Sequence, residues 1–532
     1  MKRYKATFAG RVVLFAVIIV IVVGCVAAVA HFAPSNGDSV NGNVAATEAN
    51  KTTEKNETKK PTSTNVSNKN DTEKNVTINL SLDEWIGWEP ILYANKGFET
   101  QDGSIFDKLG IDVKIHIIND AEASSNALIK GDLNAAGYTL NRTAFLSGKF
   151  ADAGLNIVMP VFTNYSDGGD GIIAMSNINS IEDLVDAKIG VPKFSEAQSM
   201  VVWFINNSDL TDEQKQAVID NLILLDDAEQ TGQAFFAGSL DVAATWQPYL
   251  SYAEDSTDSH ILFDTSSSNK LILDGIVFRA DFAEANPEVV SKFIEGIFMA
   301  LEEYESDFNT IRKVMPMFAG MSDEEIAATR MDAGMMGYAE NVKSLESDCP
   351  IIYSDMCDVW ESIGETVNRS LGETLFDTSY VKALANKYSS VEAVTENKIE
   401  ITEEQLTEAI DVPSMLTKTC TIEFYPDTAK FKDPAAAAAI LDEFIEIAKV
   451  LDGTIIQIEG NLNYDGAPYS GDALSTDRAN AVKKYFIANG IDPNRIIIVG
   501  NGNSKMIVDP SGTVEETMPN RRTDIFFKTV GA

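Results

Sequence analysis

Histidine and cysteine are scarce in this chain of 532 residues, which has three of the first and four of the second. His31, His116 and His260 stand far apart and unaccompanied, so neither a histidine-based metal site nor a Ser-His-Asp triad is expected. The cysteines form no CxxC pair and no Cys/His cluster of zinc spacing. Cys349 and Cys357 either close a short disulfide in an oxidising compartment or remain two thiols. No GxSxG turn, phosphate-cradling glycine loop or metal-spaced set occurs, so neither an enzyme nor a cofactor is expected. Positive charge is short too. The 42 Lys and Arg face 80 Asp and Glu, a formal net charge of −38. That balance excludes a nucleic-acid partner, whose phosphates would be repelled, and a polybasic role at a membrane surface. The acidic residues are spread along the chain and read as a solvated exterior.

What is present begins at the N-terminus. Lys2, Arg3, Lys5 and Arg11 precede an uncharged, mostly apolar run from Val12 to Ala33. About twenty such residues span a bilayer as a helix, with the flanking cations kept in the cytoplasm. Two readings compete: a signal-anchor helix, or a lipobox at Val22-Val23-Gly24-Cys25 with Cys25 lipid-modified. Val26 to Ala30 stays apolar where a lipoprotein tether turns polar, which favours the uncleaved transmembrane helix. Either way the rest of the chain lies outside the cytoplasmic membrane.

Residues 34–75 are rich in Thr, Asn, Ser, Lys and Glu and bury too little to order themselves, so they read as a disordered linker. As a coil, about 40 residues have a typical end-to-end distance of roughly 35–40 Å. The remaining length is too great for one core and predicts two or three domains in all. From 76 to 390 short apolar runs alternate with helical spacing, as in strand Val76–Leu82, strand Val113–Ile118, helix Ala121–Lys130 and helix Pro287–Tyr304. That alternation argues for parallel α/β layers. Residues 391–412 read as a charged connector. From 413 to 532 the pattern predicts strand Cys420–Phe424, helix Pro434–Leu451, strand Thr454–Glu459, helix Thr476–Asn489, strand Arg495–Gly500 and strand Thr523–Lys528.

Several segments of the middle region carry a resemblance. They are Trp85-Ile86-Gly87-Trp88-Glu89-Pro90 after the first strand, Gly131-Asp132-Leu133-Asn134-Ala135-Ala136, Asp170-Gly171-Ile172-Ile173-Ala174, Lys188-Ile189-Gly190-Val191-Pro192, and Gly238 through Pro248. In this order they resemble the solute-binding proteins of nitrate/sulfonate/taurine-type ABC importers. The resemblance implies a type II periplasmic-binding-protein-like domain of two α/β lobes, lobe 1 at about 76–165 and 270–390 and lobe 2 at about 166–269. Crossovers would lie near Val161–Asp170 and Phe263–Gly275, with hinge closure on a small polar solute between the lobes and delivery to an ABC permease. Candidate ligand residues are Trp85, Trp88, Tyr138, Thr139, Asp170, Ser195, Trp246 and Gln247. The tryptophans divide between core and ligand wall, and Asp170 between a turn role beside Gly168-Gly169 and ligand contact. In the candidate loops Asp83, Glu84, Glu89, Asp120, Asp167, Asp170 and Glu196 outnumber Arg142 and Lys193. The expected ligand is therefore cationic, zwitterionic or neutral rather than an anion, with an amine over a tryptophan face as one form.

The C-terminal region reads Ile458-Glu459-Gly460-Asn461-Leu462-Asn463-Tyr464-Asp465-Gly466, then Leu474-Ser475-Thr476-Asp477-Arg478-Ala479, then Asn520-Arg521-Arg522. This resembles the OmpA-like family, a small α/β sandwich that binds the peptidoglycan stem peptide. The resemblance implies that Arg478 takes the diaminopimelate carboxylate, a contact suited to a bidentate guanidinium near a helix start. Asn520 and Arg522 match the closing motif. Asn463 stands where the family has aspartate, so the ion pair to the ammonium is lost. Either binding is altered, with Asp465 as a substitute, or the fold is kept and the ligand lost. The sequence as a whole reads as a membrane-anchored, wall-associated solute-binding protein. A sensor or structural envelope tether not coupled to transport is the alternative.

Overall fold

The computed structural model describes residues 76–268, 271–303, 307–388, 401–410, 412–464 and 473–529. The expected anchor, the linker and most of the connector lie outside these residues. Among the described residues no helix is long and apolar enough to cross a membrane.

The chain enters as β1 (Thr77–Leu82), β2 (Asp112–Ile117), β3 (Ala135–Thr139) and β4 (Ile157–Ser166). Between them run α1 (Ala121–Lys130) and α2 (Leu140–Asp152), whose orphan amides are capped by the side chains of Asp120 and Thr139. β4 leads directly to β5 (Asp170–Met175), followed by β6 (Ile189–Pro192), α3 (Glu196–Asn206), β7 (Ile223–Leu225), β8 (Val242–Trp246) and β9 (Ser259–Asp264). The chain then returns as β10 (Leu273–Arg279), α4 (Pro287–Glu302), β11 (Ala333–Met335) and α5 (Cys349–Ser362).

These strands make two sheets. One has the order β11-β4-β10-β3-β1-β2 and the other β7-β6-β8-β5-β9. β1 pairs in parallel with β2 and β3, and β6 with β7 and β8, while the strands beside the crossings pair antiparallel. Each sheet marks a lobe, and the chain passes between lobes twice, after Ser166 and after Asp264. Within the lobe 1 sheet β3 is covered on both sides, so it runs Ala-Ala-Gly-Tyr-Thr with almost nothing exposed. Gly137 is required there: a Cβ would lie 2.8 Å from Leu82 and 2.9 Å from the Trp88 ring.

The third unit comprises β12 (Leu416–Cys420), α6 (Pro434–Val450), β13 (Ile455–Asn461), α7 (Ala473–Ala488), β14 (Ile496–Gly502) and β15 (Thr523–Lys528), in the sheet order β12-β15-β13-β14. The strand expected at Cys420–Phe424 is displaced. Leu416–Cys420 pairs with β15, and Phe424 makes only an isolated bridge to Phe431. This unit packs on lobe 2 and on the second crossing. Ile181 donates its amide to Met415 at 3.1 Å, and Gly453 donates to Ser267 at 3.0 Å. The Ser268 hydroxyl donates to Val450, and Lys418 lies 3.9 Å from Asp209.

The Cys349–Cys357 disulfide is not formed, and both side chains are buried. They sit on one helix, α5, eight residues apart, about 12 Å along its axis, beyond disulfide reach.

Candidate functional site

Where the lobes meet, lobe 1 contributes the ends of β1 and β3 and the start of α2, and lobe 2 contributes the start of α3. Thr139 caps α2 through its backbone partner Arg142 and also donates its hydroxyl to Glu196 at 2.8 Å. Arg142 grips the same carboxylate in fork geometry, Nε to Oε1 at 2.8 Å and Nη2 to Oε2 at 2.7 Å. This is a charge-assisted latch between lobes, with both side chains mostly buried. Burial opposes ionisation of Glu196, but the Arg142 charge and the hydrogen bonds overcome it and hold the carboxyl below its ordinary value. Asn141 reaches Ser199 of lobe 2 at 3.0 Å. Phe145 stacks on Phe194 with ring centroids 4.8 Å apart. Phe194 takes the left-handed backbone conformation, φ 56°, which an aromatic residue adopts only at a cost. Helix α5 spans the junction: the Trp360 ring nitrogen donates to Asn141 at 2.9 Å, and Ser362 accepts from Asn206 of lobe 2 at 3.1 Å. These contacts join the two lobes directly.

Beside these contacts lies a small cavity of about 10 Å³, lined from lobe 1 by Asp83, Asn119, Tyr138, Thr139 and Arg142 among others, and from lobe 2 by Glu196. Asp83 accepts from the Trp88 ring nitrogen at 2.6 Å. Asp170 accepts from Ser166 at 2.7 Å, and burial pushes its carboxyl up to about 7. Burial also raises Asp83, against the Trp88 hydrogen bond and the pull of Arg142. It takes the Tyr138 phenol to about 12, despite that hydroxyl's contact with Ser124.

Of the expected ligand residues, Tyr138 and Thr139 line this cavity. Trp85 is half-buried, donating to Asn164 at 2.8 Å with its ring edge against Gly169. Trp88 is core, 1% exposed. Ser195 caps α3, accepting from Gln198 and donating to Pro192. Trp246 is exposed and in register with Asp170. Gln247 accepts from Ser251. Sequence reasoning left Arg142 and Glu196 as loop charges, although Glu196 follows the capping Ser195. Asp274 went unnoticed. It is the one charge in the run Leu271-Ile272-Leu273-Asp274-Gly275-Ile276-Val277-Phe278, and that was the available signal.

In the third unit, Gly460 lets α7 settle on β13, since a Cβ there would lie 2.1 Å from the Ser475 carbonyl oxygen. Asn463, just past β13, accepts from Asn520 at 2.8 Å and donates to Pro510 at 3.3 Å. Asn520 also accepts from the amides of Ile507 and Val508. Arg478 donates to the Thr428 carbonyl at 3.1 Å and lies over the Phe424 ring at 4.8 Å. Arg522 pairs with Asp524 at 2.9 Å. Asn463 and Asn520 are thus brought together, while Arg478 is braced by the loop before α6.

Two α/β lobes crossed twice by the chain make a two-lobed periplasmic-binding-like fold, and the α/β sandwich behind it is a separate unit. That unit matches the model of the OmpA family over residues 423–518. It is 36% identical over 86 residues to Outer membrane protein A of Bordetella avium, a match covering 16% of this chain and 44% of that protein. Among solved structures, the chain is similar to the periplasmic aliphatic sulphonate binding protein SsuA from Escherichia coli. That match has a TM-score of 0.43 and 14% identity, covering 57% of this chain and 98% of that one. It is also similar to a putative sulfonate ABC transporter periplasmic protein from Methylobacillus flagellatus, with a TM-score of 0.44 and 13% identity, covering 60% and 96%.

Proposed function

We propose that the chain is an extracytoplasmic solute-binding protein that closes its two lobes on a small polar molecule, hands it to an ABC permease, and is held to peptidoglycan by its C-terminal unit. The reading divides the chain into an anchor helix at 1–33, a linker at 34–75, the binding domain at 76–390, a connector at 391–412 and the wall-binding unit at 413–532. The observation that carries it is the latch of Thr139 and Arg142 on Glu196, which joins the lobes directly beside the polar cavity. Groups so placed fix a guest and report its arrival by lobe closure. The role is binding without catalysis.

A thermal-shift screen of the full chain against small polar solutes tests the trap, with a rise in melting temperature as the expected result. Small-angle scattering should then show the ligand-bound particle more compact than the empty one. For the wall unit, Arg478 is the proposed carboxylate ligand, with Asn463, Asn520 and Arg522 around it. Native protein should be retained on purified peptidoglycan and Arg478→Ala released; equal retention of the two removes the assignment.

A further inference from the structure

We propose that the solute carries a cationic nitrogen, an ammonium or guanidinium group, held by Asp274 with Asp170 and Asp83. The inference rests on the solute-trap reading and adds the charge of the guest.

The argument is a row of side chains across the lobe 1 sheet. Asp274, second in the returning strand β10, pairs with Thr139 of β3 on one side and Asn164 of β4 on the other. Residues directly opposite in antiparallel strands project from the same face. Thr139 lines the cavity and holds Glu196, and Asn164 holds the Trp85 ring nitrogen. Asp274 therefore points to the same side, between the latch and an indole. Its side chain is 4% exposed, and among the described residues none gives its carboxyl a hydrogen bond or an ion pair. A buried carboxyl without a partner is costly, and a native site retains one where a partner arrives from outside.

The surrounding charge points the same way. Facing Asp274 are Asp83 from the loop after β1, Glu196 from α3, Asp170 from β5 and Arg142 from α2. Arg142 already has Glu196 as its partner, so among the described residues the cation facing Asp274 is committed elsewhere, while Asp83, Asp170 and Asp274 have no ion-pair partner. Burial, then the mutual repulsion of these groups, raises Asp274 well above the ordinary carboxylate range. No group of three or more His, Cys, Asp or Glu among the described residues has metal-holding spacing, so the spread of the acids suits an organic cation. On binding, the cation enters and a proton leaves a carboxyl for solvent.

The test uses the full chain with ethylammonium, putrescine, agmatine and choline in one arm and ethanesulfonate and nitrate in the other. At least one cation should raise the melting temperature. Its affinity should fall at least tenfold in Asp274→Asn and fall again between pH 8 and pH 5. Its calorimetric heat should also vary with buffer ionisation enthalpy, because protons are released. Without ligand, Asp274→Asn should melt higher than wild type at pH 8 and equally at pH 4, since the unfolded carboxyl ionises where the folded one resists. A cation whose affinity ignores both the substitution and pH overturns the assignment, as does a lower melting temperature for unliganded Asp274→Asn at pH 8. Binding of ethanesulfonate or nitrate alone overturns the cation and leaves the trap standing. Silence in both arms overturns both.

Discussion

Two carboxylates at the lobe junction respond to pH in opposite directions. Glu196, its carboxyl depressed by Arg142, contributes stability that is complete at neutral pH and is lost as pH falls through its folded value. Removing its partner with Arg142→Ala leaves a mostly buried charge unpaired, at a cost of about 3 kcal/mol. The urea midpoint at pH 7 reads this directly, and an unchanged midpoint would show that the latch contributes nothing. Asp170 behaves oppositely. With its folded carboxyl near 7, ionisation is resisted, so the destabilisation grows as pH rises above about 4 and levels off above 7. Asp170→Asn keeps an acceptor for Ser166 and should gain about 1–2 kcal/mol at pH 8, allowing for partial exposure, and nothing at pH 4. Chemical unfolding at the two pH values checks it.

Elements written into local chemistry were legible before any contact was known. Helix α1 coincides with the span read from spacing, because Asp120 and Gly131 bound it on either side. β15 also coincides with its expected span, a short segment around the apolar run Ile525-Phe526-Phe527. β12 was misplaced because Cys-Thr-Ile-Glu-Phe alternates as well as Leu-Thr-Lys-Thr-Cys. The choice between them is made by pairing with a strand over a hundred residues away, which no local window contains. The site divides in the same way. Thr139 and Ser195 announce themselves as caps after strands, whereas the Arg142–Glu196 latch joins residues 54 apart. Asp274 was hidden by an apolar run that reads as core, and only the register with Thr139 gives it a direction.

Helix contacts yield two further tests. A Gly460→Ala side chain would meet the Ser475 carbonyl, so α7 must lift from β13, costing about 2–3 kcal/mol and lowering the C-terminal unit's melting temperature. On α5, Asp355 is pushed up to about 6 by burial, by Asp358, and by Glu446 of α6. Asp355→Asn should therefore stabilise the chain by about 1 kcal/mol at pH 8 and leave it unchanged at pH 4. Thermal melts at both values decide.

At the scale of the molecule, the C-terminal unit is joined to lobe 2 and to the second crossing, through Ile181, Asp209, Ser267 and Ser268. Cutting residues 413–532 away uncovers those groups and should lower the melting temperature of the remainder by about 2–6 °C. Toward lobe 1 the same unit presents the like charge of Glu446 to Asp355.

If the two lobes open and close as proposed, this docking ties lobe 2 and the second crossing to the C-terminal unit. If murein grips the C-terminal unit, lobe 2 keeps station with the wall and lobe 1 makes the whole stroke. A collecting partner then needs to track only the travelling half to tell a loaded receptor from an empty one.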